Sequence, residues 1–505
     1  MVAAGASIHP RLLGPLGPKP KPAFPPPSMD PFYKLPANLS AYKLGDVIRS
    51  RPIDLSSFGP EAASAYHVLY RTTGQSGNQT VPDATVTTLV APKFPAPGPP
   101  RIVTVGTPVN SAAIDCAPSY TYIAGTTSNN TLEVTALLTP VSAVHQGWWA
   151  NSPDFEGSKA AWLVGHIEGQ AMLDSMRVAE RHVETMPAAL GKQAIHGING
   201  YSGGSHAVMW AAQLASTYAP ELNIAGVVAG GLPANVEETV HYLDGTGSAT
   251  LGYIGAAGLG NGYPELDRML RQRVKPGMPA DIFEAVHTGV SCAQDAYLNG
   301  PLKLDDGFRL DAQGRNISED PTLKAVFAQE NLGANQPPIV NFPIYLMHSR
   351  GDEIVPYNQS RAYAESQCAQ GATIEFESLA SGIHVLTGVQ AQPVFITRLR
   401  RYFADKLAGK KPTRTCSYPE TLWYPNPLDV AENILGPLAN SQMQQQQSQV
   451  QNSDAPQKAK DTKSQQEEQG KTHPRPPTTP QKANPLTTGS PGYHKKIRSS
   501  FRFLV

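Results

Sequence analysis

Gly200-Tyr201-Ser202-Gly203-Gly204 has the G-x-S-x-G form of a nucleophile elbow, a sharp turn between a β-strand and a helix. Glycines flank the serine in such a turn because side chains there would strike the strand and the helix packed against it. The surroundings fit. Residues 193–198 (QAIHGI) read as a short buried strand, and 205–215 (SHAVMWAAQLA) read as a helix rich in small residues, able to lie close to a sheet. The pattern alone is weak. With 44 Gly in 505 residues, chance supplies roughly one match in every four such chains. Partners downstream have to carry the rest.

A serine hydroxyl is a poor nucleophile until a base takes its proton. In α/β-hydrolases the order along the chain is Ser, acid, His. Residues 342–348 (FPIYLMH) read as a core strand, followed by Ser349-Arg350-Gly351-Asp352-Glu353. An acid just past the carboxyl end of a strand is in position to orient a histidine. Asp352 is the expected acid, with its neighbour Glu353 the alternative. Residues 373–378 alternate as the next strand does, and the loop after it carries His384, the expected base among 13 histidines. The gaps are 150 residues from Ser202 to Asp352 and 32 from Asp352 to His384. The first leaves room for an insertion; the second holds one strand and its flanks. His206 reads as a packing residue on the elbow helix, and His348 as a satisfied core histidine. The oxyanion donors are expected from the backbone N–H of Gly203 and from the loop after the strand at 101–105, where Asn110 lies.

These motifs resemble the fungal secretory lipases. The resemblance rests on the GYSGG elbow, GDEIVPY at 351–357, Ile383-His384, DCAPSYTY at 115–122, DPFYKLP at 30–36 and YAPELNI at 218–224, and it extends over about 30–437. It implies an α/β-hydrolase core with a mostly parallel sheet, an inserted helical cap, and hydrolysis of carboxylic esters including triacylglycerols. It puts Ser202, Asp352 and His384 on the family's catalytic triad. It also implies an Asp where this chain has Asn110, a departure that a backbone donor survives and a carboxyl role does not. Cys116, Cys292, Cys368 and Cys416 allow three pairings. The resemblance favours Cys116–Cys292 and Cys368–Cys416.

Composition agrees with a globular hydrolase. Lys+Arg and Asp+Glu are both 41, so no charge field points to nucleic acid or anionic lipid. The expected partner is a lipid or other acyl-ester substrate, met at a lipid interface. No apolar run reaches the roughly 18 residues of a membrane span. The cysteines form no C-x-x-C or zinc-like spacing, so neither metal nor cofactor is expected. Sequons at Asn38, Asn78, Asn129, Asn316 and Asn358, with the cysteines, point to a secreted protein. The N-terminus disagrees: residues 1–8 lack the charged and apolar regions of a signal peptide, so either the start is misassigned, the preferred explanation, or export uses another route.

The expected organisation is a Pro-rich lead-in at 1–29, a first core segment at 30–233, a cap at 234–336, a second core segment at 337–441 and a disordered Gln/Lys/Pro-rich tail at 442–505. Within the core, 158–183 reads as one flanking helix. Within the cap, 266–274 reads as helix, and the Gly-rich stretch 252–262 reads as an interruption between helices. Leu251, Ile254, Ala256, Ala257 and Leu259 make the cap apolar and suit it to an acyl chain. The reading is a serine ester hydrolase of the lipase type. Acyl transfer or small-ester hydrolysis on the same frame, and a non-catalytic binding protein, are the alternatives.

Overall fold

A computed structural model of the protein describes residues 24–74, 81–123, 131–277, 283–284, 303–334, 336–339 and 341–422. The expected tail at 442–505, the first part of the Pro-rich lead-in, Cys292, Asn78 and Asn129 lie outside the described residues. The frame is an eleven-stranded sheet. Strands β1 (Val47–Pro52), β2 (Ala62–Thr73) and β3 (Pro82–Pro92) form an antiparallel edge. Strand β3 also pairs antiparallel with β5 (Trp149–Pro153), and from β5 the sheet continues parallel through β4 (Arg101–Gly106), β6 (Ile195–Tyr201), β7 (Ile224–Gly230), β8 (Pro343–Ser349) and β9 (Thr373–Leu379). Two short strands, β10 (Cys416–Ser417) and β11 (Glu420–Thr421), finish on β9.

Every residue of β6 and β7 is buried. Strands covered on both faces read as continuous apolar and small residues rather than as alternation. One face is covered by α3 (Gly165–Arg181), α5 (Gly203–Tyr218) and α10 (Tyr357–Ala369), which contribute Met172, Met176, Trp210 and Tyr363 to one core cluster. The other face is covered by α2 (Thr131–His145) and α11 (His384–Leu407), with Val144, Phe395, Leu399 and Phe403 in a second cluster. Two one-turn helices, α1 (Pro118–Thr121) and α4 (Ala188–Gly191), lie in the connections. The chain leaves β4 toward β5 on one side and returns to β6 on the other. Such a reversal opens a crevice at the carboxyl ends of the parallel strands.

Between β7 and β8 the described chain contributes no strand to the sheet. It forms α6 (Val236–Leu243), α7 (Thr250–Gly262), α8 (Pro264–Arg273) and α9 (Pro321–Glu330). These helices share a separate apolar cluster with Trp162, Leu163, Val164, Ile354 and Val355, all from loops at the carboxyl ends of the strands. The structure corrects two sequence expectations here. The Gly-rich stretch is not an interruption but most of α7. Its glycines let the helix press on the 162–164 loop: a Cβ on Gly258 would stand 2.6 Å from the Trp162 carbonyl oxygen. The helix expected over 158–183 begins only at Gly165. Before it the chain turns sharply, with φ of 51° at Ala160 and 67° at Leu163.

The described end of the lead-in is docked. Arg51 stacks its guanidinium 3.6 Å from the Phe24 ring centroid and pairs with Asp30 at 2.6 Å. Both the backbone N–H and the hydroxyl of Ser28 donate to the Asp115 carboxylate, at 2.7 Å each. At the other end a disulfide joins Cys368 on α10 to Cys416 on β10. Cys116 is also disulfide-bonded, and its expected partner is the undescribed Cys292.

Candidate active site

Ser202 is the single residue between β6 and α5 and has φ 56° and ψ −130°, a conformation that costs a side-chain-bearing residue free energy and persists only where the surroundings enforce it. Here its N–H donates to the Gly230 carbonyl at 2.9 Å, and its carbonyl accepts from Ser205 N at 2.8 Å. The turn fits only because Gly204 is bare: a Cβ there would stand 2.0 Å from the Gly106 carbonyl oxygen on the neighbouring strand. The result holds the hydroxyl rigidly above the sheet.

The loops after β8 and β9 bring the other expected residues to it. His384 Nε2 lies 2.7 Å from Ser202 Oγ, and His384 Nδ1 lies 2.6 Å from Asp352 Oδ2. All three side chains are buried. The second carboxylate oxygen, Oδ1, accepts from the backbone N–H groups of Ile354 at 3.0 Å and Val355 at 2.8 Å. Burial works to raise the Asp352 carboxyl, but the charges and hydrogen bonds of His384 and His348 outweigh it and hold the group well below the usual carboxylate range. Glu353, the alternative acid, touches the same histidine elsewhere: its Oε2 accepts from the His384 backbone N–H at 2.9 Å.

Three contacts were not legible beforehand. His348 is the buried core residue expected, but its Nε2 also faces Asp352 Oδ2 at 3.1 Å, making it a second imidazole on the acid. Tyr201 donates its hydroxyl to the His384 carbonyl at 2.7 Å. Burial, with the Asp352 and Glu353 charges, raises that phenol well above its ordinary value, so it stays a donor. Tyr242 of α6 donates to the Asp352 carbonyl at 3.0 Å, tying the inserted helices to the acid loop. The His206 ring, by contrast, is bonded away from the Ser202 hydroxyl. It is buried against Glu168 at 2.6 Å and accepts from Trp210 Nε1 at 3.1 Å.

Ser202 and His384 open onto a cavity of about 40 Å³. Its walls include Asn110 and Gly203, and apolar residues of α6 and α7 such as Val240, Leu243 and Leu251. Ile254, Ala256, Ala257 and Leu259 belong to the buried α7 cluster rather than to the lining. Asn110 has φ 51°, a left-handed value that Asn adopts more readily than most residues. Its Oδ1 approaches within 2.6 Å of the point where a Cβ on Gly203 would stand.

The model of the family described as "LIP: Secretory lipase" matches residues 125–412. The chain is 33% identical over 371 residues to lipase A of Moesziomyces aphidis, covering 72% of this chain and 77% of that one. The chain belongs to the secretory lipase family. It is also 30% identical over 421 residues to a secreted triacylglycerol lipase of Malassezia furfur, covering 81% of each. The crystal structure of Candida antarctica lipase A matches at 28% identity with a TM-score of 0.72, over 83% of this chain and 95% of that chain. Membership makes the chain a carboxylic ester hydrolase with an α/β-hydrolase fold. No described helix of this secretory lipase is long and apolar enough to cross a membrane.

Proposed function

We propose that this secretory lipase cleaves acyl esters, triacylglycerols among them, through an acyl-enzyme on Ser202. The observation that carries the reading is the continuous hydrogen-bonded chain from Ser202 Oγ through His384 to Asp352, buried at the mouth of an apolar cavity. Ser202 Oγ bonds to the ester carbonyl carbon while its proton passes to His384 Nε2. The anionic oxygen that forms is held by the Gly203 N–H and by a donor from the Asn110 loop. Asp352 keeps the His384 ring in the acceptor tautomer and stabilises its positive charge. The intermediate then expels the alcohol, which takes the proton from Nε2. Water repeats the sequence on the acyl-enzyme and releases the acid.

Residues 234–336 act as the cap over a core made of 30–233 and 337–441. Helices α6 and α7 wall the cavity above Ser202 with Val240, Leu243 and Leu251, the apolar surface that a fatty acyl chain would meet. The relatives' printed description, the oxidised cysteines and the exposed sequon asparagines Asn38, Asn316 and Asn358 support secretion, and Cys116–Cys292 is the second disulfide in this proposal. The test is a rate profile on p-nitrophenyl esters from acetate to palmitate, with a triacylglycerol emulsion alongside. The reading expects rates that rise with acyl length and turnover of the emulsion. Rates that fall steadily from acetate, with no turnover of the emulsion, would restrict the enzyme to small esters.

A further inference from the structure

Trp162 occupies the loop that replaces the start of the expected helix. Two left-handed residues, Ala160 and Leu163, flank it. The surroundings hold that strain in place. Glu168 Oε1 accepts the Leu163 N–H at 2.8 Å, and Asn261 of α7 donates to the carbonyls of Ala160 at 3.0 Å and Ala112 at 3.1 Å. Gly258 closes on the Trp162 backbone from above. The loop is built to keep one side chain in one place.

That place is the catalytic cavity. Trp162 lines it together with Ser202, Gly203 and Asn110, and is only 6% exposed. Its Nε1 lies 3.1 Å from the point where a Cβ on Gly203 would stand, the same point that Asn110 Oδ1 approaches. The indole N–H is buried and has no hydrogen-bond partner among the described residues. Burying a donor without an acceptor is unfavourable. A phenylalanine would fill the same apolar wall without that penalty.

We propose that the Trp162 indole N–H is a catalytic residue, a third donor to the oxyanion beside Gly203 and the Asn110 loop. The proposal rests on Ser202 being the nucleophile. The oxygen that becomes negative when Ser202 Oγ bonds to the carbonyl carbon forms beside the Gly203 N–H, within the cavity that Trp162 also lines. A donor kept out of water bonds the neutral carbonyl weakly and the anion strongly. Its contribution therefore falls on kcat rather than on ground-state binding.

Trp162→Phe removes the N–H and keeps an aromatic ring. Replacement of Trp162 by benzothienylalanine does the same with nearly the indole shape, and serves if the phenylalanine variant folds poorly. Each is assayed on p-nitrophenyl acetate, butyrate and laurate, and titrated with a trifluoromethyl ketone, which gives an anionic adduct with a reactive serine. We expect kcat to fall by about 10- to 100-fold, by the same factor on all three esters, with KM within about twofold. Ketone inhibition should weaken by a similar factor. Unchanged kcat, a loss that grows or shrinks with acyl length, or unaltered ketone affinity would overturn the proposal and leave Trp162 a wall residue. Ser202→Ala, run in parallel, separates the two claims: activity surviving there would sink the nucleophile assignment itself.

Discussion

Two adjacent acids touch His384, and the structure gives them very different consequences. In Asp352→Asn the amide oxygen stays with the Ile354 and Val355 N–H groups, because only an oxygen satisfies them. The amide NH₂ then faces His384 Nδ1, where the carboxylate had accepted a hydrogen bond at 2.6 Å. Two donors cannot face each other, so the imidazole shifts its proton to Nε2 and loses its capacity to take the proton of Ser202. The charge that stabilises the imidazolium disappears as well. A loss of about 10³–10⁴ in kcat follows, or about 4–5.5 kcal/mol at 1.36 kcal/mol per decade. In Glu353→Gln the amide oxygen can still accept the His384 backbone N–H. The ring is untouched, and the loss stays within about tenfold, near 1 kcal/mol for one weakened hydrogen bond. The assay is kcat and KM on p-nitrophenyl butyrate for both variants, with circular dichroism to confirm folding. Asp352→Asn within tenfold of wild type, or Glu353→Gln the more damaging of the two, would refute the reasoning.

Leu251→Asp puts a charge on the cavity wall; activity on laurate should drop while acetate is spared, since each buried CH₂ is worth about 0.8 kcal/mol, and equal losses on both esters would count against an acyl wall. Breaking the Cys368–Cys416 bond, which closes 48 residues, with Cys368→Ser should lower stability by about 4 kcal/mol in the chain-entropy model and leave kcat unchanged, read by chemical denaturation and ester assay. Burial pushes the Asp154 carboxyl up to about 7 against the hydrogen bonds from Ser119. A raised folded value means its contribution is complete below the unfolded pKa of about 3.9 and is lost as pH rises toward the folded one. Asp154→Asn should therefore gain stability relative to wild type between about pH 4 and pH 7, by up to about 4 kcal/mol, and a difference that stays flat across that range would contradict the buried-acid account. Asp352 has the opposite sign: its carboxyl is depressed, so the stability it confers is present above about pH 3.9 and lost only as pH falls through its lower folded value.

The parallel strands were legible because burial on both faces writes itself into composition. The run expected at 342–348 is β8 shifted by one residue, and 373–378 is β9 short by one. The elbow and the order Ser202, Asp352, His384 were legible because each residue follows a strand, where the fold exposes side chains. The antiparallel edge β1–β3 carried no comparable signal. The 158–164 segment was misread because its alanines, Leu163 and Val164 carry helical spacing, whereas its turn is held by Glu168, five residues past Leu163, and by Asn261, about a hundred residues on. In α7, seen along the sequence, the glycines read as helix breakers; close packing on Trp162 offsets their low propensity, about 1 kcal/mol each. The contact of His348 with Asp352 belongs to neither local pattern nor motif. It appears only when the loop after β8 folds back over its own strand.

Everything proposed for the site depends on Ser202, in its strained turn, being the nucleophile. That role is tested most directly by treating the folded protein with a p-nitrophenyl alkylphosphonate and mapping the adduct by peptide mass spectrometry. One phosphonate per chain is expected, on Ser202, with activity lost in step with labelling and no labelling in Ser202→Ala. Phosphonate on a different serine, or full ester hydrolysis by Ser202→Ala, would contradict it.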